Sequence, residues 1–274
     1  MDELKDQEVK SEVESSEEDF ELNHTDKLVG VFAEPGSTFK RISIVGPKTT
    51  DWLIPILVVI IISIISNYVM MSNPTIKYSI MEKQMQAVEE RFDEMVAKGQ
   101  MTEAQKEQQL QQTRDFMDQQ GGTQLIFSTL GILIFTFLMF FIVSGVFFAV
   151  TKFGLKGEGD YKGAMAAYGL PHYIIVIQVV VMVILAFVLE RFIQGTSAAA
   201  ILDSDKTTFA GWALAKLDIF SIWFYAVVAV GFAKMFKSES YGKYFGMVFG
   251  LWIGVSFIFW LLADALPFLR WFGV

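Results

Sequence analysis

The chain has 274 residues, of which 53% are hydrophobic, 15% aromatic and only 19% charged, whereas a soluble domain carries about a quarter charged residues. Its net charge of −8 sits in one place: residues 2–21 hold ten acids against Lys5 and Lys10, and the rest of the sequence is balanced. The absence of a basic field argues against nucleic acid as a partner. The absence of cysteine excludes disulfides, thiol catalysis and thiolate metal sites, and two histidines, His24 and His172, cannot build a clustered-histidine metal site.

Residues 1–26 contain no apolar run, so no secretory signal peptide is expected, and their dense like charge predicts a disordered acidic tail. Ser11, Ser15 and Ser16 stand among its acids as candidate phosphorylation sites. Residues 27–50 read as a cytoplasmic interfacial segment. Leu28, Val29, Val31 and Phe32 form an apolar cluster, and Pro35 suits the first position of a short helix. Phe39 and Ile42, three apart and flanked by Lys40 and Arg41, suggest a helix whose basic residues face anionic headgroups.

Residues 51–274 read as a membrane domain. Five apolar stretches, near Trp52–Met71, Leu125–Val150, Met165–Leu189, Trp212–Met235 and Tyr244–Leu262, are each long enough to cross ~30 Å of hydrocarbon at ~1.5 Å per helical residue. Helices satisfy their own backbone in lipid, so the expected fold class is an all-α integral membrane protein with five transmembrane helices. Lys27, Lys40, Arg41 and Lys48 precede the first span. Lys152, Lys156 and Lys162 follow the second, and Lys234, Lys237 and Lys243 follow the fourth. This bias places the N-terminus in the cytoplasm and the C-terminus outside.

The connection at 73–120 is too long to be structureless in a compact domain. Met81, Met85, Val88, Phe92 and Met95 follow 4-3-4-3 spacing, and Thr102 with Gln105 forms a capping-box signature after a break at Lys98-Gly99-Gln100. Leu110, Thr113, Phe116 and Met117 give a second apolar side. The expectation is an extracytoplasmic helical hairpin. Its methionine-rich seam either packs the two arms together or offers a protein partner an adaptable surface over 78–117.

Gly242, Gly246, Gly250 and Gly254 lie on one face of the fifth span and permit close helix approach. The neighbour is either in the same chain, expected first because five spans must pack together, or in a second copy, giving a homodimer. Glu190, Arg191, Lys216, Asp218 and Asp264 fall toward the outer side, with Arg270 beyond them. They form either a ring of snorkelling charges or a polar vestibule, which Gln178, Ser63, Ser66 and Asn67 would extend. Pro171 predicts a break beside His172, where a proton-linked role is a weaker alternative. Sequence signatures of phosphate loops, zinc proteases and serine hydrolases are missing, and no metal site or cofactor is expected. Gly157-Glu158-Gly159 reads as a tight turn.

Several stretches resemble the bacterial branch of the Yip (Ypt/Rab-interacting protein) family. They are Glu34-Pro35-Gly36-Ser37-Thr38-Phe39-Lys40-Arg41-Ile42, the run Phe153–Lys162 with Gly157 and Tyr161, Ala166-Ala167-Tyr168-Gly169-Leu170-Pro171, Gly231-Phe232 and Tyr241-Gly242-Lys243. The resemblance covers about residues 27–265. It implies five membrane helices and a cytoplasmic N-terminus, with Rab-type GTPase binding and vesicle traffic in eukaryotic members. The family's Asp-Leu-Tyr-Gly-Pro motif is reduced here to Gly46-Pro47, and its Tyr-Gly-Tyr-Ser motif to Tyr168-Gly169. The expected function is a non-enzymatic membrane protein that organises protein partners or lipids. The alternative is a small-solute or ion transporter with a polar outer-leaflet cavity.

Overall fold

The computed structural model describes residues 21–119, 123–263 and 265–266, so the acidic tail through residue 20, Asp264 and Arg270 lie outside the described residues. The described residues are helical, with no strand among them. The chain forms two compact units: Met1–Val59, Phe137–Ile177 and Ser197–Val274 make the first, and Ile60–Thr136 with Gln178–Thr196 the second.

The first unit opens with α1 (His24–Ala33), whose first turn is capped by Asn23 accepting from Asp26 N at 2.9 Å. Then α2 (Pro35–Val45) starts on proline, as expected. Gly46 stops it with φ +100°, a conformation open mainly to glycine, and Pro47 prevents its resumption. The helix α3 (Thr50–Ser72) follows, with Pro55 in its second turn.

In the second unit Asn73 caps α4 (Pro74–Ala97) by accepting from Thr75 N and Ile76 N at 2.9 and 3.1 Å. Gly99, at φ +67°, ends that helix, and α5 (Glu103–Gln119) returns against it. The capping box is present: Gln105 Oε1 accepts from Thr102 N at 2.9 Å, and Thr102 Oγ1 from Gln105 N at 3.3 Å. All five seam residues from Met81 to Met95 are half-buried, and Leu110 on α5 is buried. Lys106 pairs with Asp93 across the arms.

Beyond the hairpin, α6 (Thr123–Ala149) runs into a π-helical turn at Val150–Gly154. The expected third span is α7 (Tyr161–Gly169) and α8 (His172–Val188), broken where Pro171 predicts it. After the short α9 (Ala198–Ile201), the expected fourth span is a pair, α10 (Phe209–Lys216) and α11 (Ile219–Met235), bent by 60°. The last helix is α12 (Tyr241–Leu262). Four helical segments are long and apolar enough to cross a membrane, or five if the bent pair is one span. Their exposed side chains, such as Phe127, Leu133, Ile134 and Phe135 on α6, form the apolar surface that lipid would cover.

Candidate functional site

The motif residues of the sequence converge on α11. Eight of its 17 residues are buried, and it is packed by α2, α7 and α12. On α2, Thr38, Phe39 and Ile42 are buried, and Phe39 is 0% exposed. The ring of Phe39 lies over Gly231, where a Cβ would stand 3.0 Å from the ring edge and 3.1 Å from the Ala167 carbonyl. Gly231 therefore makes room for Phe39 on one side and for α7 on the other. Phe39 and Ile42 of α2 are thus covered by protein, whereas Lys40 and Ile44 remain exposed. Glu34 lies just before α2, and Ser37 Oγ donates to its carboxylate at 3.0 Å.

The other motif residues make the same kind of fit. Gly169 brings α7 directly onto the start of α3, since a Cβ there would stand 2.6 Å from Trp52 Cα. Gly157 and Gly159 close over Phe236, with hypothetical Cβ atoms at 2.8 and 2.7 Å from its ring. The turn reading of Gly157-Glu158-Gly159 is thus completed by a packing role. Trp52 stacks on Phe140 at 5.2 Å, Phe140 on Tyr168 at 5.7 Å, and Tyr168 meets His172 edge-on at 4.9 Å. The Tyr161 hydroxyl donates to the Phe141 carbonyl at 3.2 Å. Pro171 O accepts from Ile174 N at 2.8 Å as α8 begins, and His172 Nδ1 is engaged by the Tyr168 carbonyl at 2.8 Å.

Polar contacts tie α1 to this unit, and the sequence reading missed them. Lys27 Nζ donates to Asp51 Oδ1 at 2.6 Å, with both side chains buried. The second oxygen of Asp51 accepts from Lys48 N at 2.9 Å. Lys27, one of the basic residues before the first span, thus has its charge matched inside the protein. His24 Nε2 shares a hydrogen bond of 2.5 Å with the Tyr173 hydroxyl. Burial pushes His24 below its ordinary value of 6.5; Asp51 opposes that shift and Lys27 adds to it. An isolated lysine and an isolated aspartate 24 residues apart carry no sequence signal of pairing.

The glycine face behaves differently from the expectation of packing within the chain. At Gly242, Gly246, Gly250 and Gly254 a Cβ would meet nothing within 4 Å among the described residues. The buried residues of α12 are Tyr244, Met247 and Val248. The four glycines leave a smooth open strip rather than a filled groove.

The polar residues expected toward the outer side are divided between the two units, apart from Asp264, which lies outside the described residues. Glu190 and Arg191 belong to the second unit and Lys216 and Asp218 to the first. Asp218 is 6% exposed and caps α11: Oδ1 accepts from Phe220 N and Oδ2 from Ser221 Oγ, both at 3.0 Å. Its charge sits at the bend between α10 and α11, where a helix start needs an acceptor. Lys216 lies 5.8 Å from the centre of the Trp212 ring. Gln178 donates to Thr196 Oγ1 at 3.0 Å within the second unit. Among the described residues no group of three or more His, Asp or Glu could hold a metal. On α4, a groove of about 790 Å³ is lined by Tyr78, Met81 and Met85, with Arg114 across it.

Apolar helices of spanning length, packed through glycine-aromatic fits, define an integral membrane protein of all-helical class. The Yip1 domain matches residues 29–263, from within α1 to the end of α12, and the chain belongs to that family. No curated protein and no solved structure shows a significant match.

Proposed function

We propose that this chain is a non-enzymatic organiser of the bacterial branch of the family, acting in the cytoplasmic membrane. The proposed layout is an acidic tail that ends where α1 begins at His24, short of the expected residue 26, then a cytoplasmic segment through residue 50 and a five-span domain over 51–274. The N-terminus is cytoplasmic, the C-terminus outside, and the hairpin at 73–120 extracytoplasmic. The chain would associate with a second copy through the glycine face of α12. It would engage lipid on the cytoplasmic side and a protein partner through the 78–117 hairpin.

The observation that carries this reading is the open glycine strip, because small residues at four-residue spacing serve close helix contact and no helix of this chain occupies it among the described residues. The exposed groove beside Tyr78, Met81 and Met85 supports the hairpin as a contact surface. The transporter alternative draws less support, since both carboxylate oxygens of Asp218 are taken up in capping α11.

The mass of single particles in lipid nanodiscs tests the proposal. The expected result is a dimer that dissociates when Gly246→Leu and Gly250→Leu are combined. A monomer at every protein density, with solute flux lost on Asp218→Ala and Asp264→Ala, would replace the organiser with the transporter.

A further inference from the structure

Lysines from two parts of the first unit meet at one depression. Its volume is about 400 Å³, and Lys40 and Ile44 of α2 form one wall. Lys234 and Lys237, at the end of α11, form the other, with Glu239 beside them. Lys40 and Lys237 are exposed, and Lys237 adopts φ +54° as the chain leaves α11. Lys234 Nζ donates to Glu239 at 2.8 Å and stands 4.8 Å from the centre of the Tyr241 ring. Lys234 and, more weakly, Lys40 hold the Glu239 carboxyl below its usual range, so cations from both walls act on one spot. Three cations against one acid leave the lining net positive. The wall is not wholly polar: Ile44 is 60% exposed.

We propose that this depression binds the phosphodiester headgroup of an anionic glycerophospholipid. The proposal rests on the lipid half of the organiser reading and names its site and ligand class. Lysines supply charge for a phosphate without a fixed fork, which suits a headgroup that arrives in several poses. Ile44 supplies what a free phosphate would not use, an apolar contact for the glycerol and upper acyl chain. The same three lysines lie where the charge bias puts the cytoplasmic surface, at which anionic lipids attract basic residues.

The full-length protein in detergent, titrated with phosphatidylglycerol and with phosphatidylcholine, tests the site. Combining Lys40→Gln with Lys237→Gln weakens phosphatidylglycerol binding about tenfold or more and leaves phosphatidylcholine unchanged. Combining Lys152→Gln with Lys162→Gln removes equal charge elsewhere on the same expected side and leaves binding unchanged. Glu239→Gln tightens binding, a gain that misfolding cannot imitate. Equal losses from both lysine pairs would show diffuse attraction and overturn the site. Full displacement of the lipid by inorganic phosphate would overturn the lipid as the source of the phosphate. Copy number measured on the same samples is unaffected by these variants, so a failed lipid site and a failed self-association are told apart.

Discussion

The helices α11 and α12 are consecutive, similarly apolar and both marked by glycine, yet they are used in opposite ways. Eight of 17 residues are buried in α11 and three of 22 in α12. Gly231 of α11 receives the ring of Phe39, whereas the four glycines of α12 face open space among the described residues. A glycine in a membrane helix therefore marks permission for close approach, and a neighbouring aromatic on another element decides whether that permission is used inside the chain. The short α2 is what makes α11 a hub, and among the described residues the glycines of α12 have no equivalent visitor.

Phe39→Ala attacks this contrast most strongly. Removing a fully buried ring from between α2 and α11 should cost about 3–5 kcal/mol, read as a lower SDS-unfolding midpoint. The same variant should release α2, raising amide exchange over Pro35–Val45. A midpoint within experimental scatter would mean that α2 does not brace the hub.

One substitution placed at two glycines sharpens the contrast next. Gly169→Ala drives a methyl toward Trp52 Cα at 2.6 Å and should destabilise by about 1–3 kcal/mol. In dilute micelles, where copies are apart, Gly250→Ala should instead be neutral or stabilising by up to about 1 kcal/mol, because alanine holds a helix better than glycine and nothing blocks the methyl. Losses of equal size at both positions would erase the distinction.

The smallest effect concerns the latch between His24 and Tyr173. The folded protein holds His24 below 6.5, so it binds this proton less readily than the unfolded chain does. The stabilisation is fully present above about pH 6.5 and is lost as the pH falls from there through the lowered value of the folded protein. Protonation would also charge Nδ1, which is buried without a hydrogen-bond partner among the described residues. Amide exchange over His24–Ala33 should rise between pH 7.5 and 5.5. His24→Phe should flatten that dependence; an unchanged pH profile in the variant would assign it elsewhere.

Hydropathy made the apolar stretches legible, and the 4-3-4-3 spacing with Thr102 and Gln105 made the hairpin legible, because each is a local pattern. The Asp218 cap was also present locally, as an acid just before an apolar run with Ser221 three residues on. It was obscured by reading any acid in an apolar stretch as an intramembrane charge. The packing of α2 was not legible. Periodicity through Phe39 and Ile42 reveals an apolar face but does not say whether lipid or protein covers it. The glycine spacing has the same limit, since it fixes which residues share a face and leaves the neighbour unspecified. The Lys27–Asp51 pair depends on tertiary placement alone.

The central proposal is that the glycine face of α12, open among the described residues, receives a second copy. The sequence contains no cysteine, so Gly250→Cys introduces a single one. Oxidation in native membranes should yield a disulfide-linked dimer for Gly250→Cys and none for Leu133→Cys, on an exposed face of α6. Equal cross-linking at both positions, or none at Gly250, would contradict the claim.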